Sequence, residues 1–168
     1  MEATHLEDMD GLYFSGHIIF QAVLSELDKR GLKKADTIIL TGHSAGGIGT
    51  WLHVDWLAER YPYSQVKGAP IAGFYFFSYQ YEGPGSTAGT QQCSLSDFSQ
   101  RAWPSHWVIW DSFVDYDCSL QLNDRPWECM VANVSYPYIA SPMFITQVTP
   151  WNPIVWGSLA LDTASIAP

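Results

Sequence analysis

Basic residues are scarce in this sequence. Eight lysines and arginines stand against 17 aspartates and glutamates, for a formal net charge of −9. Phosphate binding needs a cationic face, so this balance argues against nucleic acid as a partner, and no polybasic patch is present to meet an anionic membrane. No apolar run reaches the roughly 18 residues of a membrane-spanning helix. The three cysteines, Cys93, Cys118 and Cys129, contain no C-x-x-C spacing, which argues against a zinc or thioredoxin-like site. Neither G-K-[ST] nor a helix-opening G-x-G-x-x-G occurs, so the two common phosphate-binding loops are missing. The first ten residues are acidic and lack the basic-then-apolar pattern of a signal peptide; no targeting segment is visible. There is no internal repeat and no interdomain linker.

What the sequence does contain is concentrated between Thr37 and Trp51. The apolar, β-branched run Ile38-Ile39-Leu40 leads into Gly42-His43-Ser44-Ala45-Gly46, and an amphipathic helical pattern follows. In that strand–turn–helix context G-x-S-x-G reads as a nucleophile elbow, with the Ser44 hydroxyl held above the carboxyl edge of a parallel sheet. Gly42 and Gly46 carry no Cβ and would let strand and helix approach closely around the turn. The blander alternative is a Gly-rich connection between a strand and a helix.

The flanking pattern supports an α/β reading. Phe20, Val23, Leu24 and Leu27 mark one helical face between Ser15 and Arg30, with Gly31 as a helix stop. A strand is expected at Thr37–Thr41, a helix from the elbow to about Arg60, and a strand within Val66–Phe77. A strand–helix–strand order implies a parallel sheet covered on both faces. Residues 82–92 read as a loop. Residues 95–133, rich in Trp, Asp and Tyr, read as short helices and loops forming a cap or pocket wall. Ser141–Val148 reads as another buried strand, followed by a turn at Thr149–Pro153. The expected fold class is thus α/β: an α/β-hydrolase-like, mostly parallel sheet flanked by helices. Because such domains run to about 200–250 residues, 1–168 is expected to be a single partial domain, incomplete at both ends.

A serine needs a base and an oxyanion hole before it becomes a useful nucleophile. The elbow supplies one hole donor, the Ala45 N–H. In this chain order an acid and then a histidine should follow the serine. Only His53 and His106 come after Ser44. His53 lies roughly 13 Å along the elbow's own helix and is expected to pack rather than catalyse. His106 follows no expected strand and is read as a surface or core residue. The elbow should turn the His43 side chain away from Ser44, leaving it to shape the pocket. Asp55, farther along the helix, is expected to cap or pair structurally. The acid's expected place, the turn at Trp151-Asn152, carries no carboxylate. Cys118 and Cys129 flank a polar loop; they could form a disulfide contributing roughly 3 kcal/mol in the chain-entropy model, or remain buried thiols. Asn133-Val134-Ser135 is a glycosylation sequon.

Several of these stretches together resemble the pectin acetylesterase and Notum carboxylesterase family, whose members remove acetyl groups from pectin or a lipid group from a secreted signalling protein. The likeness runs through residues 11–16, 31–35, 40–47 and 52–55, and resumes at Cys118, Trp127-Glu128-Cys129, Tyr136-Pro137 and residues 142–147. It implies an α/β-hydrolase fold and a serine carboxylesterase acting on an acetyl or longer O-acyl ester through an acyl-serine intermediate. Ser44 then resembles the family nucleophile and Ala45 an oxyanion donor, while Cys118 and Cys129 resemble a family disulfide pair. No cofactor and no metal are implied. The substrate would be an acylated polysaccharide or acylated protein, and the location secreted, extracellular or cell-wall. The sequence departs from the family at three places. Ser15 stands where an arginine is common. Trp151 or Asn152 stands where the catalytic aspartate falls. The family's glycine-rich oxyanion loop would precede residue 1, and its histidine would follow residue 168. The 168 residues alone are therefore expected to be inactive or nearly so. The competing reading is a catalytically degenerate homologue that uses an aromatic pocket to hold a glycan or acyl chain. A third, a cytosolic serine hydrolase, would require Cys118 and Cys129 to be reduced.

Overall fold

The computed structural model describes residues 14–75 and 103–147. Within them the chain forms helix α1 (Gly16–Lys29), strand β1 (Thr37–His43), helix α2 (Ala45–Arg60), strand β2 (Gln65–Ile71) and helices α3 (Trp103–Trp110), α4 (Tyr116–Gln121) and α5 (Ala132–Ser135), with short 3₁₀ turns between. α1 ends where expected. Gly31 takes up φ 107°, a left-handed conformation that favours glycine.

β1 and β2 pair in parallel from Thr37↔Gln65 to His43↔Ile71, with α2 as the crossover. α2 is the centre of the fold. One of its faces meets the sheet and α1 through Leu24, Ile38, Val54, Leu57, Tyr61 and Val66. Another carries Leu52 into a second cluster built on Val114, Cys118, Cys129 and Met130. The Cys118–Cys129 disulfide is formed and lies fully inside that cluster. α2 is apolar on more than one side because it is packed on more than one side.

Two expectations need correction. β2 stops at Ile71 rather than running towards Phe77, because Ala72 turns to φ 50° and breaks the extended backbone; residues 76 and 77 lie outside the described residues. The stretch from Ser141 forms two isolated parallel bridges to β2, Gly68↔Met143 and Ile71↔Thr146, instead of a buried strand. Its Phe144 is 75% exposed. Among the described residues one face of the sheet is covered: Ile38 and Val66 are buried, while the next residues, Ile39 and Lys67, are exposed. The short helices expected between 95 and 133 are found from Trp103 onward; the loop at 82–92, Cys93 and the turn at Thr149–Pro153 lie outside the described residues.

Candidate active site

The elbow is present in the geometry as well as the motif. Ser44 sits between β1 and α2 at φ 55°, ψ −115°, a region that a residue with a side chain enters only under constraint. Three backbone bonds impose it. The Ser44 N–H donates to the Ile71 carbonyl at 2.8 Å, anchoring the turn to β2. The Gly47 and Ile48 N–H groups donate to the Ser44 carbonyl at 2.9 and 3.1 Å, starting α2 immediately. The N–H groups of Ala45 and Gly46 precede those first helical bonds, at the positive end of the helix dipole. Ala45 is exposed there, where an approaching carbonyl oxygen could reach its N–H.

The glycines divide their work differently from what the motif suggests. A Cβ on Gly42 would run into the Gly46 backbone carbonyl, so Gly42 is required for the close strand–helix approach. A Cβ on Gly46 would meet nothing within 4 Å. The second tight contact is instead Gly47 against Gly73, where a Cβ on Gly47 would lie 2.7 Å from the Gly73 Cα. That contact clamps the first turn of α2 to the segment leaving β2.

Clamped beside the elbow by this segment is Tyr75. Its hydroxyl lies 3.3 Å from the Ser44 Oγ, the hydrogen bond found for the serine side chain. Sequence reasoning did not single out Tyr75. The usable signal was its place just past the carboxyl end of a parallel strand, where sites in α/β sheets gather.

Among the described residues none of the other candidates is hydrogen-bonded to the Ser44 side chain. His43 is exposed at the end of β1 and lines no described pocket. Asp55 has the structural role expected of it: its carboxylate accepts the Ala140 and Ser141 N–H groups at 2.7 and 2.8 Å, tying α2 to the bridging segment. His106 stacks on Trp110 within α3. His53 is packed in an aromatic cluster with His17, Phe113, Trp56 and Phe20. Its Nε2 is 3.1 Å from the His17 Nδ1, and burial lowers its pKa to about 4. Together with Phe14, Trp110 and Phe113, these histidines line a cavity of about 360 Å³ between the start of α1 and the 110–113 turn. Trp110–Phe113 thus supply the pocket wall expected of the aromatic stretch. The expected positions of the triad acid, Trp151 and Asn152, lie outside the described residues. Among the described residues no cluster of three or more His, Cys, Asp or Glu is arranged to hold a metal ion. No described helix is long and apolar enough to cross a membrane.

A strained serine between a parallel strand and a helix, with the first N–H groups of that helix behind it, is the arrangement of α/β-hydrolase-like proteins. The pectinacetylesterase family model matches residues 2–151. The chain belongs to the pectinacetylesterase family. Similar proteins include palmitoleoyl-protein carboxylesterase notum1 of Xenopus laevis, 32% identical over 151 residues, covering 86% of this chain and 30% of that protein. The NOTUM carboxylesterase of Mus musculus is 31% identical over 151 residues, covering 86% and 29%. That of Homo sapiens is 32% identical over 140 residues, covering 80% and 27%. The chain thus spans about 30% of the length of these relatives.

Proposed function

We propose that this chain carries the nucleophile of a serine carboxylesterase and that Ser44 is that nucleophile. The observation that supports the reading best is the conformation of Ser44, held at positive φ between β1 and α2 with the Ala45 N–H beside it. In the reaction, the Ser44 Oγ attacks the ester carbonyl carbon while its proton passes to an imidazole base and the carbonyl π pair moves onto oxygen. The Ala45 N–H donates to that oxyanion. Collapse expels the alcohol, which takes the proton from the imidazole, and leaves acyl-Ser44; water repeats the sequence and releases the acid. The resemblance implies that a histidine supplies this imidazole, while the place where it implies the partnering aspartate, Trp151-Asn152, carries no carboxylate. No metal or cofactor takes part in this reading.

The substrate is an O-acyl ester on a polysaccharide or a protein. The relatives' name, palmitoleoyl-protein carboxylesterase, supports an acylated protein. The disulfide at Cys118–Cys129 supports a secreted location, since such bonds persist in oxidising compartments. The test is hydrolysis of p-nitrophenyl acetate and octanoate by the complete product of the gene. Turnover that is lost in Ser44→Ala is the expected result; equal turnover by parent and variant sinks the proposal.

A second reading, a non-catalytic homologue that binds a glycan or acyl chain, is favoured by one observation. The Ser44 hydroxyl bonds to a phenol, Tyr75, and not to an imidazole among the described residues. On this reading the complete product binds an acyl ligand without hydrolysing it.

A further inference from the structure

An oxyanion hole works with two or more donors; the elbow offers the Ala45 N–H, and the resemblance implies a glycine-rich loop as another. In addition, the Tyr75 hydroxyl is hydrogen-bonded to the reacting oxygen, 3.3 Å from the Ser44 Oγ. We propose that the Tyr75 hydroxyl is an additional oxyanion donor, acting with the Ala45 N–H on the acyl carbonyl oxygen of the ester bound at Ser44. This rests on the serine-esterase reading above.

The position of Tyr75 is fixed from four directions. The Ala72 N–H donates to the Thr146 carbonyl at 2.7 Å, and the Phe74 N–H to the Gln147 Oε1 at 3.2 Å. The Asn133 N–H donates to the Tyr75 carbonyl at 3.3 Å, joining this segment to α5. Two residues earlier, Gly73 lies against Gly47 with no room for a Cβ on either residue. Both donors therefore stand at the same end of α2, one on its first residue and one on the strand-exit segment pressed against its first turn.

Chemistry favours a shift of the phenol's bond during reaction. A phenol both donates and accepts, so in the resting state either oxygen can supply the hydrogen. When the Ser44 Oγ bonds to the carbonyl carbon it loses its proton and becomes a poorer acceptor. The negative charge then lies on the former carbonyl oxygen, attached to the same carbon as the Oγ. A hydroxyl already beside the Oγ needs only a small movement to donate there. That interaction strengthens only as charge develops, so it should act on kcat with little effect on KM.

The test compares the complete gene product with Tyr75→Phe and Ser44→Ala, measuring kcat and KM on p-nitrophenyl acetate and the affinity for a trifluoromethyl ketone that adds to serine. Loss of one oxyanion donor typically lowers kcat by about 10²–10³-fold. Tyr75→Phe is expected to lose about that much kcat with KM within about twofold, and to bind the ketone more weakly by a similar factor. Parent-like kcat and ketone affinity in Tyr75→Phe, with Ser44→Ala dead, would overturn the oxyanion role and leave the esterase reading standing. Parent-like turnover in Ser44→Ala would remove both. Should Tyr75→Phe fail to fold, 3-fluorotyrosine at position 75 retains the ring and changes the donor strength of the hydroxyl. A changed kcat at constant KM supports the role, and unchanged constants refute it.

Discussion

Acidification should destabilise this protein through one half-buried imidazole, His53, and the size of the effect follows from its surroundings. The His53 Nδ1 lies 2.8 Å from the Gly49 carbonyl, which can only accept, so Nδ1 carries the hydrogen. In the neutral ring Nε2 is then a lone pair, and it accepts from the His17 Nδ1 at 3.1 Å. The His17 Nε2 is left to accept from the Gln21 side-chain amide at 2.8 Å. The chain of donors runs from Gln21 through His17 and His53 to Gly49, with both rings neutral. Protonating His53 would put a second hydrogen on Nε2, facing the Nδ1 hydrogen of His17. Burial against Phe113, Phe20 and Trp56 disfavours the charge further. Burial above all, and the neighbouring His17 ring, lower the His53 pKa from 6.5 to about 4, against the opposing effect of its bond to the Gly49 carbonyl.

A lowered pKa means that the unfolded chain binds the proton first. The stability contributed by neutral His53 is therefore complete above about pH 6.5 and is lost as pH falls towards 4. At 1.36 kcal/mol per pKa unit, the difference amounts to about 3 kcal/mol. Urea unfolding between pH 7.5 and 4 should show this loss in the parent, and a correspondingly flatter profile in His53→Gln. Histidine ring resonances followed by NMR should show one imidazole still neutral at pH 5. A His53 resonance titrating near pH 6.5, or identical pH slopes in parent and variant, would refute the reasoning.

Two more perturbations test the frame around the elbow. Reducing the Cys118–Cys129 disulfide, or replacing both residues by serine, should cost roughly 3 kcal/mol and lower the melting temperature by about 6–12 °C; an unchanged melting curve would show that the closed loop contributes nothing. Gly47→Ala puts a methyl group against the Gly73 backbone, where neither side can yield easily. The expected cost is about 1–3 kcal/mol, despite alanine's better helix propensity, with a loss of esterase activity larger than that from Gly46→Ala. Equal effects of the two alanines would mean that the Gly47–Gly73 contact does not position the elbow.

The parts of this structure legible in the sequence are those with a local signature. The Gly31 stop, β1 and the start of α2 at Ser44 each follow from residues within a turn or two of one another, whereas of the apolar face expected for α1 only Leu24 is buried and Phe20 partly so, with Val23 and Leu27 exposed. Asp55 and His53 were rightly kept away from the nucleophile by helix geometry alone. What escaped depends on contacts between distant segments. The partner of Ser44 is 31 residues away at Tyr75, and the partner of His53 is 36 residues away at His17. Gly73 matters because of Gly47, and nothing in its neighbours announces that. The end of β2 was overextended because Phe74 and Tyr75 have strong strand propensity, which the turn at Ala72 overrides. The stretch around Met143 looked buried because it is apolar, yet only alternate side chains turn inward.

The claim at the centre of this account is that Ser44 is an activated nucleophile. Intact-mass and peptide spectrometry after treatment with a fluorophosphonate tests it most directly. In the complete gene product the account predicts a single adduct, on Ser44, lost in Ser44→Ala, while the 168 residues alone label slowly. A complete product that stays unlabelled, or an adduct that survives Ser44→Ala, would contradict it.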